Sequence, residues 1–265
     1  MMESFVIREY RPEDIPDLWS LWCRVFGDPP LLVNTFLDLL PEMGSCCVAE
    51  EAGELLGAAY LLDGFTLLCP DGSGFPCGYL YAVAVEERAR GNGIGAAVSR
   101  GAAELGRKRG AERVCTLPAE EGLYAWYGKI LSLENRTDRA VYLRSSLPDL
   151  PELSAADYLR KREQLLKGIP HVVPNAAVME YQKLLCRSYG GNLYALEEGI
   201  LCAYRDDGVW VIPELLLPSA AGLTSRAESF RACCAALPGL QAELRPYLCS
   251  DLPLPEGTVW NLSLD

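Results

Sequence analysis

The stretch of sequence that decides the fold is Ala82-Val83-Ala84-Val85-Glu86-Glu87-Arg88-Ala89-Arg90-Gly91-Asn92-Gly93-Ile94-Gly95. It predicts an apolar strand, a short charged link, a glycine turn and the start of a helix. The helix carries an apolar stripe at 3.6-residue spacing, made of Ile94, Ala97, Val98, Gly101, Ala102 and Leu105. Because the first N–H groups of a helix lack intrahelical partners, this turn presents several donors to one point, which suits a phosphate group.

The segments on either side predict alternating helices and strands. Before the turn we expect a strand at 4–10, helices at 15–25 and 31–40, a strand hairpin over 46–62 and a strand at 78–85. After it we expect a helix from 93 to 109, a strand at 113–117, a helix at 122–130 and a strand at 140–144. The glycine turn therefore follows the fourth strand of an α/β domain.

The proline-rich segment Leu147-Pro148-Asp149-Leu150-Pro151 marks a boundary between two domains, predicted as residues 1–147 and 152–265. The second domain is expected to contain helices at 154–167, 175–188 and 225–236 and strands at 192–197, 200–204, 209–214, 240–245 and 258–264. We expect a tight turn at Asp206-Asp207-Gly208, and a capping box of Ser225 and Glu228 at the last helix. This order roughly repeats that of the first domain without the glycine turn, so we predict a degenerate copy that has no cofactor site.

The charge and the cysteines exclude several classes of protein. A net charge of −12 over 265 residues argues against general nucleic-acid binding. It mildly favours cationic substrates, although an acidic surface that only keeps the protein soluble is the better-supported explanation. The eleven cysteines are odd in number and lack metal-ligand spacing, so we expect most to be buried thiols in a reducing cytosol. No signal region opens the chain, and no apolar run approaches the ~20 residues of a membrane span, which predicts a cytoplasmic protein.

The one histidine, His171, lies in a run with two prolines that is typical of a linker. A Ser/His/Asp triad would have to use this residue. We expect His171 instead to be structural or exposed to solvent.

At Arg90–Gly95 the sequence resembles the GCN5-related N-acetyltransferases (GNAT), whose signature Arg/Gln-x-x-Gly-x-Gly/Ala is filled by Arg90, Gly93 and Gly95. The element order predicted over residues 4–145 agrees with that family. The resemblance implies an α/β fold of the α+β type, with a mixed central sheet flanked by helices and followed by a second, smaller GNAT-like domain. It also implies acetyl-CoA as co-substrate and no metal.

The resemblance assigns the cofactor contacts residue by residue. In that family the fourth strand splays from its neighbour and pairs with the pantetheine arm of acetyl-CoA, a role that falls to Val83 and Val85 here. The pyrophosphate would be held by Gly91, Asn92, Gly93, Ile94, Gly95 and Ala96, and Arg90 would add a cation. The basic residues Arg100, Arg107, Lys108, Arg109 and Arg113 could meet the 3′-phosphate, or could form a solvated helix face.

A dinucleotide fold is the competing interpretation of the same glycines, because Gly91-x-Gly93-x-x-Ala96 matches its fingerprint. That fingerprint should follow its strand at once, whereas residues 86–89 intervene here. The acidic residue that should end the next strand is missing, since Glu112 begins it. The context therefore disfavours a dinucleotide.

Acetyl transfer needs a proton for the departing thiolate. Family members often use a tyrosine in a Tyr-x-x-x-Gly-Phe setting, which gives Tyr124 the role of acid, although Lys129 replaces the phenylalanine and the usual asparagine near the end of the preceding strand is absent. Tyr127 is the alternative acid, and packing of both tyrosines with Trp126 stays open. Glu86, Glu87 or a chain of water molecules could accept the proton of the amine.

These observations predict an N-acetyltransferase that moves an acetyl group from acetyl-CoA to a primary amine of a small molecule or peptide, by direct attack in a ternary complex. The alternative is a non-catalytic acyl-CoA-binding or interaction protein. No nucleic acid or membrane partner is expected, and a homodimer is possible. The second domain could wall the substrate cleft or mediate dimerisation through its sheet edge and Trp210 or Trp260, unless both tryptophans pack in the core.

Overall fold

Helices and strands alternate along a chain that divides into two units. The computed structural model describes residues 5–218, 226–262 and 264. Unit 1 comprises Met1–Thr66, Phe75–Arg136 and Leu248–Pro253, and unit 2 comprises Leu67–Gly74, Thr137–Tyr247 and Leu254–Asp265. The functional division at 1–147 and 152–265 stays a prediction.

Unit 1 is a mixed sheet covered by helices. Its strands are β1 (Val6–Glu9), β2 (Gly44–Glu51), β3 (Glu54–Leu68), β4 (Gly74–Val85) and β5 (Arg113–Thr116). Its helices are α1 (Ile15–Phe26), α2 (Pro30–Met43), α3 (Ile94–Lys108) and α4 (Glu121–Leu131). The strands lie in the order β1-β2-β3-β4-β5, antiparallel from β1 to β3 and parallel between β4 and β5. The predicted element order is therefore confirmed in this unit.

Helix α3 packs closely on the sheet because glycines face it. Ile94, Val98 and Ala102 of the predicted stripe are buried. A Cβ added at Gly101 would overlap the Cys47 sulfur, and one at Gly106 would overlap the Leu61 Cδ2 methyl. The missing side chains set how near the helix axis lies to β2 and β3, and so fix where the helix begins.

We expect Gly106→Ala to lower the free energy of unfolding by about 1–3 kcal/mol, because the added methyl overpacks a closed core. This loss exceeds the ~1 kcal/mol that alanine gains over glycine as a helix former. The matched control is Gly122→Ala in α4, where a Cβ meets nothing within 4 Å. Urea unfolding of the two variants measures the difference, and equal midpoints would contradict this account of the packing.

Unit 2 contains α5 (Ala155–Leu165), α6 (Ala176–Ser188), α7 (Arg226–Ala236), β6 (Asn135–Arg144), β7 (His171–Pro174), β8 (Asn192–Ala195), β9 (Ile200–Asp206), β10 (Val209–Leu216) and β11 (Gln241–Ser250), with the ends of β6 and β11 in unit 1. Strands β6, β10, β9 and β8 lie side by side. The ladders that join these four strands are antiparallel, and a single parallel bridge joins His171 to Val259. The predicted hairpin turn is confirmed, with positive φ at Asp207 and Gly208.

The expectation that His171 is structural or exposed is met by the structural alternative, since its ring is buried and bonded to the Ile169 carbonyl at 2.7 Å and to Glu163 at 3.0 Å. Its segment is not a linker, because His171 opens β7.

A further expectation for unit 2 is wrong. The strand expected at 258–264 is absent from the described part of that segment. Among its described residues only Val259 pairs, in a single bridge to His171. Further along, backbone groups bond to side chains instead of a strand: the Asn261 carbonyl accepts from Arg139 at 2.7 Å, and the Leu264 N–H donates to Gln182 at 3.1 Å.

The remaining expectations for unit 2 concern its packing. Trp260 is buried, so it contributes to the core, while Trp210 is half-buried against Tyr194 and Arg205. The expected capping box lies outside the described residues because Ser225 is not among them. The eleven cysteines are thiols, and eight of them are buried, as expected. Among the described helices, none is long and apolar enough to cross a membrane.

Candidate active site

The pairing between strands β4 and β5 ends half-way along β4. Their parallel pairing runs from Cys77–Arg113 to Leu80–Thr116 and stops there, whereas β4 continues to Val85. At the last pair the Thr116 hydroxyl donates to the Leu80 carbonyl at 2.8 Å. Two residues on, Ala82 has a φ of 47°, a conformation that a non-glycine residue rarely adopts. The end of β4 therefore has no partner in β5, so its backbone edge on that side can pair with a ligand.

The glycine turn follows directly. Gly91 and Gly93 have φ values of +83° and +80°, and a Cβ at either would meet nothing within 4 Å. Gly93 is the N-cap of α3, and no side chain caps that end. The first bond of the helix runs from Ala97 N–H to the Gly93 carbonyl at 3.0 Å. The amides of the preceding residues of this turn therefore have no intrahelical acceptor and point out of the helix end.

The turn is anchored on three sides. A Cβ at Gly57 in β3 would lie 2.8 Å from the Ile94 side chain and 3.1 Å from the Ala84 carbonyl, so only glycine lets α3 begin so close to the sheet. Arg90 donates from Nε to the Val85 carbonyl at 3.3 Å. A Cβ at Gly95 would lie 3.8 Å from the Trp126 ring. These contacts hold the uncapped helix end against the part of β4 that extends beyond its pairing with β5.

The basic residues in the second half of α3 and just beyond it form ion pairs and hydrogen bonds away from the glycine turn. Arg107 pairs with Asp251 at 2.8 Å, Arg109 with Asp63 at 2.5 Å, and Arg113 donates to the Pro253 carbonyl at 2.8 Å. At 1.5 Å per residue, Arg107 lies about 20 Å from the start of the helix. These contacts disfavour the proposed role at the 3′-phosphate for all three residues. Arg100, nearer the turn, donates to the Ile130 carbonyl at 3.3 Å.

Helix α4 brings both candidate tyrosines into the core beside β4. Tyr124 and Tyr127 are both buried in one apolar cluster, and Val83 and Val85 pack against it. The guanidinium carbon of Arg136 lies 3.8 Å from the centre of the Tyr124 ring. Burial raises the pKa of Tyr127 to about 12, and a hydrogen bond to Thr116 opposes this shift. The two phenols therefore differ in electrostatic surroundings although they share one helix.

The candidate bases are less favourably placed. The Glu86 carboxylate accepts hydrogen bonds from Arg24 of α1, with the Nε donor at 3.1 Å, so this group is already neutralised by a cation. Glu87 is exposed.

Within the described residues, no three His, Cys, Asp or Glu side chains converge as a metal site would require.

The comparison with protein families matches residues 6–129 to the acetyltransferase (GNAT) domain. This chain carries a GNAT acetyltransferase domain. The predicted family, the mixed α/β GNAT fold and the prediction of an acetyltransferase are thereby confirmed. No curated protein matches the sequence significantly.

Solved structures resemble the chain well beyond the GNAT domain. A GCN5-related N-acetyltransferase from Kribbella flavida is 15% identical, with a TM-score of 0.61 over 93% of this chain and 71% of the other. Eis1 from Mycobacterium abscessus is 14% identical, with a TM-score of 0.64 over 94% and 73%. A protein from Pyrococcus horikoshii is 18% identical, with a TM-score of 0.57 over 98% and 93%. At these identities the likeness shows a shared fold, and it includes the second half.

The GNAT domain contains every site residue predicted from the sequence, from Val83 to Ala96 and Tyr124. Their individual roles stay predictions. Sequence reasoning missed the bend at Ala82, the Thr116 hydroxyl at the last strand pair and the arginine over Tyr124. The first two sit at the end of a strand pairing, whose register a single sequence does not reveal. Arg136 lies twelve residues beyond the tyrosine it covers, a spacing that belongs to no helical or strand pattern.

Proposed function

We propose that this chain transfers the acetyl group of acetyl-CoA to a primary amine of a small molecule or peptide, by direct attack in a ternary complex. The observation that carries the proposal is the end of β4 beyond its pairing with β5, which lies beside the uncapped start of α3. Together they offer an extended backbone edge and a set of converging N–H donors. An amide-containing arm that ends in a diphosphate is the ligand that uses both.

Residues 91–96 would hold the diphosphate. Anions at a helix N-terminus gain about 0.3–2 kcal/mol from the helix dipole, with the larger values in partly buried sites. Gly91 and Gly93 leave open space where side chains would stand, so the phosphate oxygens can approach the backbone. Arg90 is exposed and adds a positive charge next to the turn. Val83 and Val85 would present the backbone groups that pair with the pantetheine arm.

Tyr124 is the better candidate for the acid of the two tyrosines. Burial raises the pKa of Tyr127 to about 12, and its phenol is already bonded to the Thr116 hydroxyl. The raised pKa also makes Tyr127 a weak acid. Tyr124 has a guanidinium on its ring face, which stabilises the phenolate left by proton transfer. We therefore assign the proton for the departing thiolate to Tyr124.

The acceptor is proposed as an amine because the chain is acidic and the family acts on nitrogen. The net charge of −12 favours approach of a cationic substrate. Glu86 is paired with Arg24, so water that leads to bulk solvent is the simpler route for the proton that the amine loses. The second domain, 152–265, is proposed to bind no acetyl-CoA.

The test is incubation of the protein with acetyl-CoA and a panel of small amines and peptide amines, with free thiol as the readout. Calorimetric titration with acetyl-CoA alone runs in parallel. We expect one tight site per chain and thiol release with at least one class of amine. Binding without release across a broad panel would favour a non-catalytic acyl-CoA-binding protein, and no binding would contradict the proposal altogether.

A further inference from the structure

Two side chains, Arg136 and Glu121, form a clamp over the phenol of Tyr124. Arg136, near the start of β6, lays its guanidinium 3.8 Å above the centre of the Tyr124 ring. The same guanidinium donates to the Glu121 carboxylate at 2.6 Å. Glu121 and Tyr124 are three residues apart on α4, so they lie on neighbouring positions of one helix face. The carboxylate thus holds the arginine over the ring.

We propose that Arg136 is a positioning residue for Tyr124, which fixes the orientation of the phenol and stabilises the negative charge left on its oxygen by proton transfer. This inference rests on the proposed function, in which Tyr124 is the acid. Arg136 itself is not assigned contact with substrate. Its side chain is 47% exposed, whereas the Tyr124 residue is 7% exposed, so the arginine closes the solvent side of a buried ring.

The electrostatic setting supports this role. The pKa of Arg136 is raised chiefly by its hydrogen bond to Glu121, and the charge interaction with Tyr124 also raises it. Burial raises the pKa of the Cys249 thiol and of Tyr127 to about 12, so both are neutral at physiological pH. Arg100 of α3 is turned to the Ile130 carbonyl. Among these groups around α4, Arg136 is the cation that a phenolate at position 124 would meet.

The step that Arg136 assists is balanced as follows. The amine nitrogen forms a bond to the acetyl carbon, and the C–S bond breaks with its electron pair going to sulfur. The phenolic proton moves from Tyr124 to that sulfur, which yields the free thiol and a phenolate. The proton lost by the amine enters solvent, and solvent returns one proton to the phenolate. Arg136 stabilises the phenolate between these two transfers.

The experiment places 3-fluorotyrosine at position 124 of the full chain and follows its titration by ¹⁹F NMR, with no turnover needed. Arg136→Gln removes the charge, Arg136→Lys keeps the charge without the planar stack, and Glu121→Gln releases the clamp. Arg160→Gln is the matched control, because Arg160 is a 64% exposed arginine that pairs with Asp157. The kinetic arm measures kcat against pH and the KM for acetyl-CoA in the same substitutions with native tyrosine.

A cation about 5 Å from the phenol oxygen, screened by water because the Arg136 side chain is 47% exposed, shifts the pKa of the phenol by about half a unit. We expect Arg136→Gln to raise the ¹⁹F titration midpoint by about that much, Glu121→Gln by less, and Arg160→Gln not at all. The alkaline limb of kcat should move up by the same amount, with kcat at pH 7 about 3-fold lower and the KM for acetyl-CoA unchanged.

The outcomes separate this inference from the proposed function. An unchanged ¹⁹F midpoint in Arg136→Gln overturns the role of Arg136. A shifted midpoint with unaltered kcat keeps the coupling but removes Tyr124 as the acid, which is a failure of the proposed function. A higher KM for acetyl-CoA, with no shift of the ¹⁹F midpoint or of the alkaline limb of kcat, would show that Arg136 acts only on binding. This result would also overturn the inference.

Discussion

We expect Gly93→Glu to weaken acetyl-CoA binding by about 100-fold, equivalent to ~3 kcal/mol. Gly93 caps the start of α3, and a side chain at this position would enter the space next to the uncapped amides. A carboxylate there would bond those amides itself and would repel a diphosphate, a repulsion of ~1–4 kcal/mol at 4 Å depending on the local dielectric. Calorimetric titration of the purified variant with acetyl-CoA measures the loss.

The control for this substitution is Gly110→Glu, just beyond the other end of the same helix. Gly110 also has a positive φ, +105°, and a Cβ there also meets nothing within 4 Å. Both substitutions therefore add one negative charge and a left-handed residue, at a cost of about 1–2 kcal/mol in stability. Only the first alters the proposed phosphate site. Equal affinities for the two variants would show that the diphosphate does not bind at residues 91–96.

Local patterns made the glycine turn and α3 predictable from the sequence. The apolar stripe of α3 has helical spacing, and its central members Val98 and Ala102 are fully buried. The turn itself needs a left-handed residue at Gly93, which glycine supplies at no steric cost. Such features depend on neighbours within one or two turns of chain. The divergence of β4 from β5 depends on pairing between distant segments, so the sequence indicated it only through the resemblance to a family.

Interactions between distant segments are what the sequence did not reveal. Arg162 and Glu214, fully buried in unit 2, form an ion pair at 2.9 Å although they are 52 residues apart. His171 looked like a linker residue because two prolines flank it, yet one bridge to Val259 and a bond to Glu163 place it in the core. In each case the local sequence around the residue does not indicate that it is buried. Its position in the core depends on a partner that is distant in the sequence.

The basic residues at the end of α3 illustrate the same limit in the candidate site. Their density along the sequence predicted a phosphate contact or a solvated face. Arg107 and Arg109 instead pair with Asp251 and Asp63, which come from remote parts of unit 1. A cluster of basic residues in the sequence therefore shows where cations lie along the chain. Which of those cations can bind a ligand depends on the acidic residues that the fold places next to them.

We expect Tyr124→Phe to lower kcat by about 100-fold with an amine that the protein accepts, since a positioned general acid contributes 10²–10⁴-fold. The phenylalanine ring preserves the apolar packing and the stack with Arg136, and only the proton is lost. The KM for acetyl-CoA should stay within about twofold because the phosphate and pantetheine contacts lie on other elements. Initial rates of thiol release across pH 6–9 measure the effect.

Tyr127→Phe is the matched control, because it removes the same atom from the same helix. It breaks the bond to Thr116 at the last β4–β5 pair, so we expect a loss of about 1 kcal/mol in stability. Its kcat should stay within a few-fold of the parent, because a phenol with a pKa of about 12 is poorly suited to give up its proton. The reverse result, a slow Tyr127→Phe and an unimpaired Tyr124→Phe, would move the acid to Tyr127.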